Sequence, residues 1–183
     1  MKTYDEDEHV KTVYAHFGLA FYFAQVLEHG IVNMLVFVDL LPKRAGKPIP
    51  RKQWIKELDL FLNSHFQMTL GKMIRSFKEV MDVPEDLEIL LSTALKKRNF
   101  LAHDYFRERA TEFMSYQGRE KMIEELDKNK LFFEQADTRL NEIIEPLRKR
   151  SGITDEHLQK ALDELRLKAN GNFPEINIKD LIK

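Results

Sequence analysis

Apolar residues in this chain recur every three or four positions, and this spacing constrains the fold more than any other feature. The clearest stripe consists of Leu87, Leu91, Ala94, Leu101 and Tyr105. Such spacing places residues on one face of an α-helix, whereas the strict alternation typical of strands is nowhere sustained. Only 7 glycines and 6 prolines interrupt the 183 residues. The sequence therefore predicts an all-α fold.

The periodic segments define five helical regions separated by turn signals. They cover residues 10–41, 54–80 with a break near 63–64, 84–105, 117–150 and 154–169. We expect one helical domain over residues 1–170, with a basic loop at 42–52 that contains three prolines and a glycine. Residues 171–183 are expected to form a polar C-terminal tail.

Composition excludes several classes of function. The chain has 29 basic and 30 acidic residues, so no overall basic field favours nonspecific binding of nucleic acid. It contains no cysteine, which excludes thiolate metal sites and cysteine nucleophiles. No two histidines lie three or four positions apart, so we expect neither a metal nor a cofactor.

Two further expectations concern location. The first residues are acidic where a signal peptide would be basic, so we expect a cytoplasmic protein. The apolar stretch at 13–41 is interrupted by polar residues, among them Gln25, Glu28 and Asn33. We interpret it as a buried helix rather than a membrane span.

Arg98 lies in the middle of the apolar stripe, where a permanent charge is costly unless it is paired. Three kinds of partner could pair with the Arg98 charge: another subunit, an internal carboxylate such as Glu28, or an anionic ligand. In the purely structural alternative, His103 would cap or bond nearby backbone. On an ideal helix His103 lies about 140° round from Arg98, while Asn99 and His103 are one turn apart. Lys96, Lys97, Arg107 and Arg109 add local positive charge.

The segment Arg98-Asn99-Phe100-Leu101-Ala102-His103, late in a helix of an all-α chain, resembles the signature of the HEPN superfamily. The resemblance implies an up-and-down bundle of four to five helices, a homodimer, and a metal-independent RNA-cleaving site at the dimer interface. Carried over by position, Arg98 and His103 match the catalytic pair, and Asn99 matches the supporting polar residue. Members include toxins and other defence proteins.

The residue types suit this chemistry. A neutral imidazole titrating near pH 7 can take the proton of a 2′-hydroxyl, which then attacks its own phosphate and leaves a 2′,3′-cyclic phosphate end. A guanidinium matches two oxygens of the crowded phosphate at once. A noncatalytic HEPN-like module that binds RNA, nucleotide or protein through the same cleft remains open, as does a plain helical interaction protein.

Tyr105 extends the match to the pattern of the HepT-like toxins. In these, a tyrosine two positions after the histidine receives a nucleotide from a nucleotidyltransferase antitoxin. The resemblance therefore implies Tyr105 as a modification site and such an antitoxin as a partner, while a core role for Tyr105 stays equally open. Six further basic residues are candidates for RNA contact: Lys43, Arg44, Lys47, Arg51, Lys52 and Lys97.

Overall fold

The computed structural model describes residues 5–47 and 49–170, and this part of the chain contains helices and no strand. The all-α prediction is confirmed. The first long helical stretch consists of α1 (Glu6–Leu35), a π-helix (Val36–Leu40) and α2 (Leu41–Arg44). The helices that follow are α3 (Arg51–Phe66), α4 (Leu70–Val80), α5 (Glu85–His103), α6 (Tyr105–Glu108), α7 (Ala110–Phe113), α8 (Tyr116–Arg150) and α9 (Asp155–Ala169).

Some boundaries differ from those that periodicity predicts. The chain between the second and third helices is shorter than the expected loop 42–52, because α2 extends to Arg44 and α3 begins at Arg51. The break expected near 63–64 lies between Phe66 and Leu70. The predicted tail at 171–183 lies outside the described residues.

Helix starts follow ordinary capping chemistry. Asp5 caps α1 by accepting hydrogen bonds from the backbone N–H groups of Asp7 and Glu8. Thr69 caps α4 and Thr154 caps α9 through their hydroxyl oxygens. These side chains satisfy backbone donors that the first helical turn leaves without partners.

Side-chain contacts between helices fix their relative directions. His9 contacts Glu120 and His16 contacts Asp127, each at 2.7 Å, so α1 and α8 run parallel. Helix α5 runs antiparallel to α8, because its early residue Asp86 pairs with Arg139 and its later residue Lys97 bonds Asn129.

Helices α1, α4, α5 and α8 supply most of the core. Their fully buried side chains include Leu27, Phe77, Leu91 and Phe133. None of the residues of α3 is buried to this extent, so α3 covers the core rather than completing it. The buried residues of α1 recur at helical spacing, as expected for an apolar face against neighbouring helices.

Two compact units divide the chain, residues 1–144 and 145–183. In the second unit, Arg148 donates to the carbonyl of Ile153 and pairs with Asp155, and the side chains of α9 are exposed. In the first unit, the helical stretch Glu6–Arg44 is long and apolar enough to cross a membrane by length and composition, criteria that a core helix also meets.

Candidate functional site

Arg98 is held between α5 and α1. Its Nε donates a hydrogen bond of 2.9 Å to Oε1 of Glu28. The Arg98 side chain is 26% exposed and the Glu28 side chain 16% exposed. The guanidinium carbon also lies 6.0 Å from the centre of the Phe21 ring, within cation–π range. Glu28 is thus the internal carboxylate that the structural alternative requires.

The contact with Glu28 uses only one edge of the guanidinium. Neither η nitrogen of Arg98 forms a hydrogen bond with a described residue. A guanidinium carries five N–H donors, and four of them belong to the η nitrogens. Arg98 can therefore remain paired with Glu28 while its η nitrogens bind two oxygens of an anion.

His103 is the last residue of α5, and its side chain is exposed. Its imidazole forms no hydrogen bond or ion pair with the described part of the chain. Within one chain, the structure therefore shows no direct contact between Arg98 and His103. The backbone-bonding role that the structural alternative assigns to His103 is absent from these contacts.

Asn99 and Lys97 flank Arg98 on α5. Asn99 is exposed, and among described residues it forms no hydrogen bond with His103. Lys97 donates a 2.7 Å hydrogen bond to Oδ1 of Asn129 and lies over the ring of Phe132. These contacts hold Lys97 against α8 and do not favour its predicted contact with RNA.

Tyr105 is 1% exposed, and its hydroxyl donates a 3.2 Å hydrogen bond to the carbonyl of Met122. Burial, reinforced by the charge of Glu125, raises the pKa of the phenol above its ordinary value of 10.0. Within the single chain, the Tyr105 hydroxyl is therefore enclosed by the protein, as the core role for this residue requires. Helix α5 ends at His103, and the short helix α6 begins at Tyr105, with Asp104 between them in a non-helical conformation.

Next to Arg98 lies a continuous aromatic strip formed by Tyr14, Phe17, Phe21 and Phe106. The ring centres of Phe17 and Phe106 are 4.9 Å apart, and those of Tyr14 and Phe106 are 5.7 Å apart. Tyr14 is 51% exposed and Phe106 is 36% exposed. The strip joins the Arg98 guanidinium, through Phe21, to an exposed apolar surface on α1.

Two of the four other cations near Arg98 are paired with acidic side chains. Arg109 forms two hydrogen bonds of 2.8 Å with the two oxygens of Glu125, and this contact raises the pKa of the Arg109 guanidinium. Arg107 pairs with Asp104 and Glu108. The number of positive charges near Arg98 that no acidic side chain offsets is therefore smaller than the number of basic residues in the sequence there.

The basic residues near 42–52 fall into two groups. Lys43 pairs with Asp39, and Arg44 lies 2.6 Å from a carboxylate oxygen of Glu57. The second group forms no ion pair with described residues and consists of Lys47, Arg51 and Lys52. Among the side chains of residues 5–47 and 49–170, no group of three His, Asp or Glu is placed to share a metal ion.

Comparison of this chain with family models, with curated proteins and with solved structures gives no significant match. Only the residues of the chain itself therefore indicate its function. Sequence reasoning named Glu28 only as an alternative partner and did not identify Phe21 as a contact of Arg98. Phe21 and Glu28 are seven positions apart, which places both on one face of α1. This spacing is the only sequence signal that both residues contact Arg98.

Proposed function

We propose that this chain is a metal-independent endoribonuclease of the HEPN type that acts as a toxin or defence effector. The observation that supports the proposal is that two side chains near the end of α5, Arg98 and His103, have nitrogens without hydrogen-bond partners among the described residues. Arg98 has two η nitrogens without partners among described residues, and His103 has an exposed imidazole without one. These are the groups that the RNA-cleaving signature requires to be available.

In the proposed reaction, the 2′-oxygen of a ribose attacks the adjacent phosphorus. His103 takes the proton of the 2′-hydroxyl, and the bond between phosphorus and the leaving 5′-oxygen breaks. That oxygen receives a proton from water and His103 returns its proton to solvent, which gives a 5′-hydroxyl end and a 2′,3′-cyclic phosphate end. The η nitrogens of Arg98 stabilise the charge that gathers on the nonbridging phosphate oxygens. Glu28 acts as a positioning residue, because it holds the opposite edge of the guanidinium.

The proposed site needs a second copy of the chain. On an ideal helix Arg98 and His103 lie about 140° apart, and within one chain they form no hydrogen bond with each other. A two-fold axis near this end of α5 would bring two arginines and two histidines into one cleft. The exposed part of the aromatic strip supplies apolar surface for that contact.

The direct test is incubation of the purified protein with mixed RNA in EDTA. We expect the wild type to cleave and both His103→Ala and Arg98→Ala to lose cleavage with unchanged helix content. His65→Ala and Arg75→Ala are matched controls. The His65 ring bonds its own helix at the Phe61 carbonyl, and Arg75 is an exposed cation without an ion pair in the described chain. Full activity of either motif variant would refute the assignment.

Light scattering at micromolar concentration tests the second copy. We expect a dimer that Tyr14→Glu weakens and Ile89→Glu does not, because Ile89 is equally apolar and exposed but lies on the opposite side of α5 from Arg98. Mixing the inactive Arg98→Ala and His103→Ala proteins should restore about a quarter of the wild-type rate, since a mixed dimer holds one intact pair. A monomeric wild type, or no recovery in a verified mixed dimer, would contradict the shared site.

A noncatalytic module remains the second candidate, and the Arg98–Glu28 pair favours it because the carboxylate offsets the guanidinium charge. It predicts that the wild type binds RNA without cutting it and that Arg98→Ala weakens this binding. A nucleotidyltransferase antitoxin remains part of the toxin proposal. The buried hydroxyl of Tyr105 gives that pairing no support.

A further inference from the structure

A cavity of about 440 Å³ lies where α2 is followed by α3. This volume is within the range of pockets that hold small organic ligands. Four of the residues that line the cavity are apolar, and they are Leu41, Ala45, Ile49 and Trp54. Neither Arg98 nor His103 lines it, so it is separate from the proposed cleavage site.

The remaining lining side chains are cationic. They are Arg44, Lys47 and Arg51, and none of the described acidic side chains lines the cavity. Glu57 offsets the charge of Arg44. Lys47 and Arg51 form no ion pair with described residues, so two positive charges at the cavity are not offset. An anionic group would be stabilised between them.

The start of α3 adds to this preference. Arg51 is the first residue of α3, whose first turn contains no acidic residue and has no side-chain cap. The partial positive charge of the helix N-terminus therefore lies at Arg51, and no carboxylate of the first turn opposes it. This contribution reinforces the two cations and is too weak to define a site without them.

We propose that this cavity binds a nucleotide, with its base against Trp54 and its phosphate between Lys47 and Arg51. The apolar wall distinguishes such a ligand from inorganic phosphate, because a planar base can stack on an indole ring. The cations distinguish it from an uncharged apolar ligand. The site is independent of the proposed cleavage reaction, and its occupancy is measurable in a protein that does not cut RNA.

Trp54 is the only tryptophan in the chain, so its fluorescence reports on this cavity alone. The Arg98→Ala protein is titrated with AMP, with adenosine and with inorganic phosphate. We expect AMP to change the fluorescence saturably, adenosine to bind at least about tenfold more weakly, and inorganic phosphate to leave the emission unchanged. Equal affinity for AMP and adenosine, or no saturable change with AMP, would overturn the proposal.

Charge-removing variants locate the ligand. Lys47→Gln and Arg51→Gln should each weaken AMP binding about tenfold. Lys56→Gln is the matched control, because Lys56 is an exposed cation of α3 that does not line the cavity. Unchanged AMP affinity in both cavity variants, with helix content intact by circular dichroism, would refute the phosphate position.

Competition identifies the source of the nucleotide. A short oligonucleotide with a 5′-phosphate is compared with the same oligonucleotide carrying a 5′-hydroxyl, each displacing AMP. Displacement by the phosphorylated form alone supports binding of an RNA end, and displacement by neither supports a free nucleotide. Equal displacement of AMP by both forms would contradict recognition of a terminal phosphate, and it would also contradict recognition of a free nucleotide. It would indicate that the site contacts the RNA backbone instead.

Discussion

The Arg98–Glu28 contact predicts a measurable coupling energy between α5 and α1. The pair is joined by one hydrogen bond of 2.9 Å, with side chains 26% and 16% exposed. At about 4 Å between charges and an effective dielectric constant of about 20, the Coulomb attraction is about 4 kcal/mol. Partial desolvation of two ions offsets most of this gain. We expect a net coupling of about 1–2 kcal/mol, between the values for exposed pairs and for charged hydrogen bonds.

A double-mutant cycle measures this energy. The wild type, Glu28→Ala, Arg98→Ala and the double variant are unfolded in urea at pH 7 and followed by far-ultraviolet circular dichroism. The control cycle uses Glu124 and Lys128, an exposed pair one turn apart on α8 whose nitrogen and oxygen are 4.0 Å apart. We expect near-zero coupling there. A coupling at Arg98–Glu28 no larger than the control would refute the reasoning.

The same pair has a kinetic consequence if Glu28 positions Arg98. Glu28→Gln retains an oxygen that accepts from Nε, so RNA cleavage should remain close to that of the wild type. Glu28→Ala frees the guanidinium and should lower kcat about tenfold or more with little change in KM. Arg98→Lys keeps a charge for Glu28 but loses the forked donors, so it should remain stable and fail to cleave. Equal kcat in Glu28→Ala and Glu28→Gln would show that Glu28 has no positioning role.

Two further predictions concern stability. Burial raises the pKa of Tyr105, so the tyrosine ionises first in the unfolded chain as the pH rises above about 10. The wild type should then lose about 1.4 kcal/mol of stability per pH unit relative to Tyr105→Phe. Urea midpoints of the two proteins that stay parallel from pH 9 to 11 would contradict this. A methyl group on Gly118 would lie 2.0 Å from the carbonyl oxygen of Glu112, whereas one on Gly18 meets nothing within 4 Å. Gly118→Ala should therefore destabilise the folded protein by about 3 kcal/mol, and Gly18→Ala should stabilise it by about 0.5–1 kcal/mol. Melting temperatures of the two variants that move in the same direction would refute this explanation.

Periodicity predicted the helices because the apolar stripes that define them are local in sequence. The stripe of α5 identifies its buried residues Leu87, Leu91, Ala94 and Leu101. The same stripe includes Tyr105, which is buried although α5 ends at His103. Periodicity does not identify the partner of its hydroxyl, because the Met122 carbonyl belongs to another helix.

The residue types of the candidate site were predictable, and Glu28 was among the predicted partners of Arg98. Glu28 and Arg98 are separated by 70 positions, so no local spacing rule selects Glu28 over a subunit partner or an anionic ligand. The lining of the cavity was likewise predictable in its residue types only. The basic loop is visible in the sequence, but only the structure separates the neutralised Lys43 from Lys47, which lines a pocket with Trp54.

The geometry of a guanidinium explains why the Arg98–Glu28 pair is compatible with both a structural and a catalytic role. Glu28 occupies Nε, and the η nitrogens remain unoccupied among the described residues. A carboxylate at one edge fixes the plane of the group without consuming the donors that a phosphate would need. Glu28 also offsets a charge that would otherwise be costly at a partly buried position. Arg98 is therefore stable in the single chain and available for the two-oxygen contact that the proposed cleavage requires, while His103 would meet it only across an interface with a second copy.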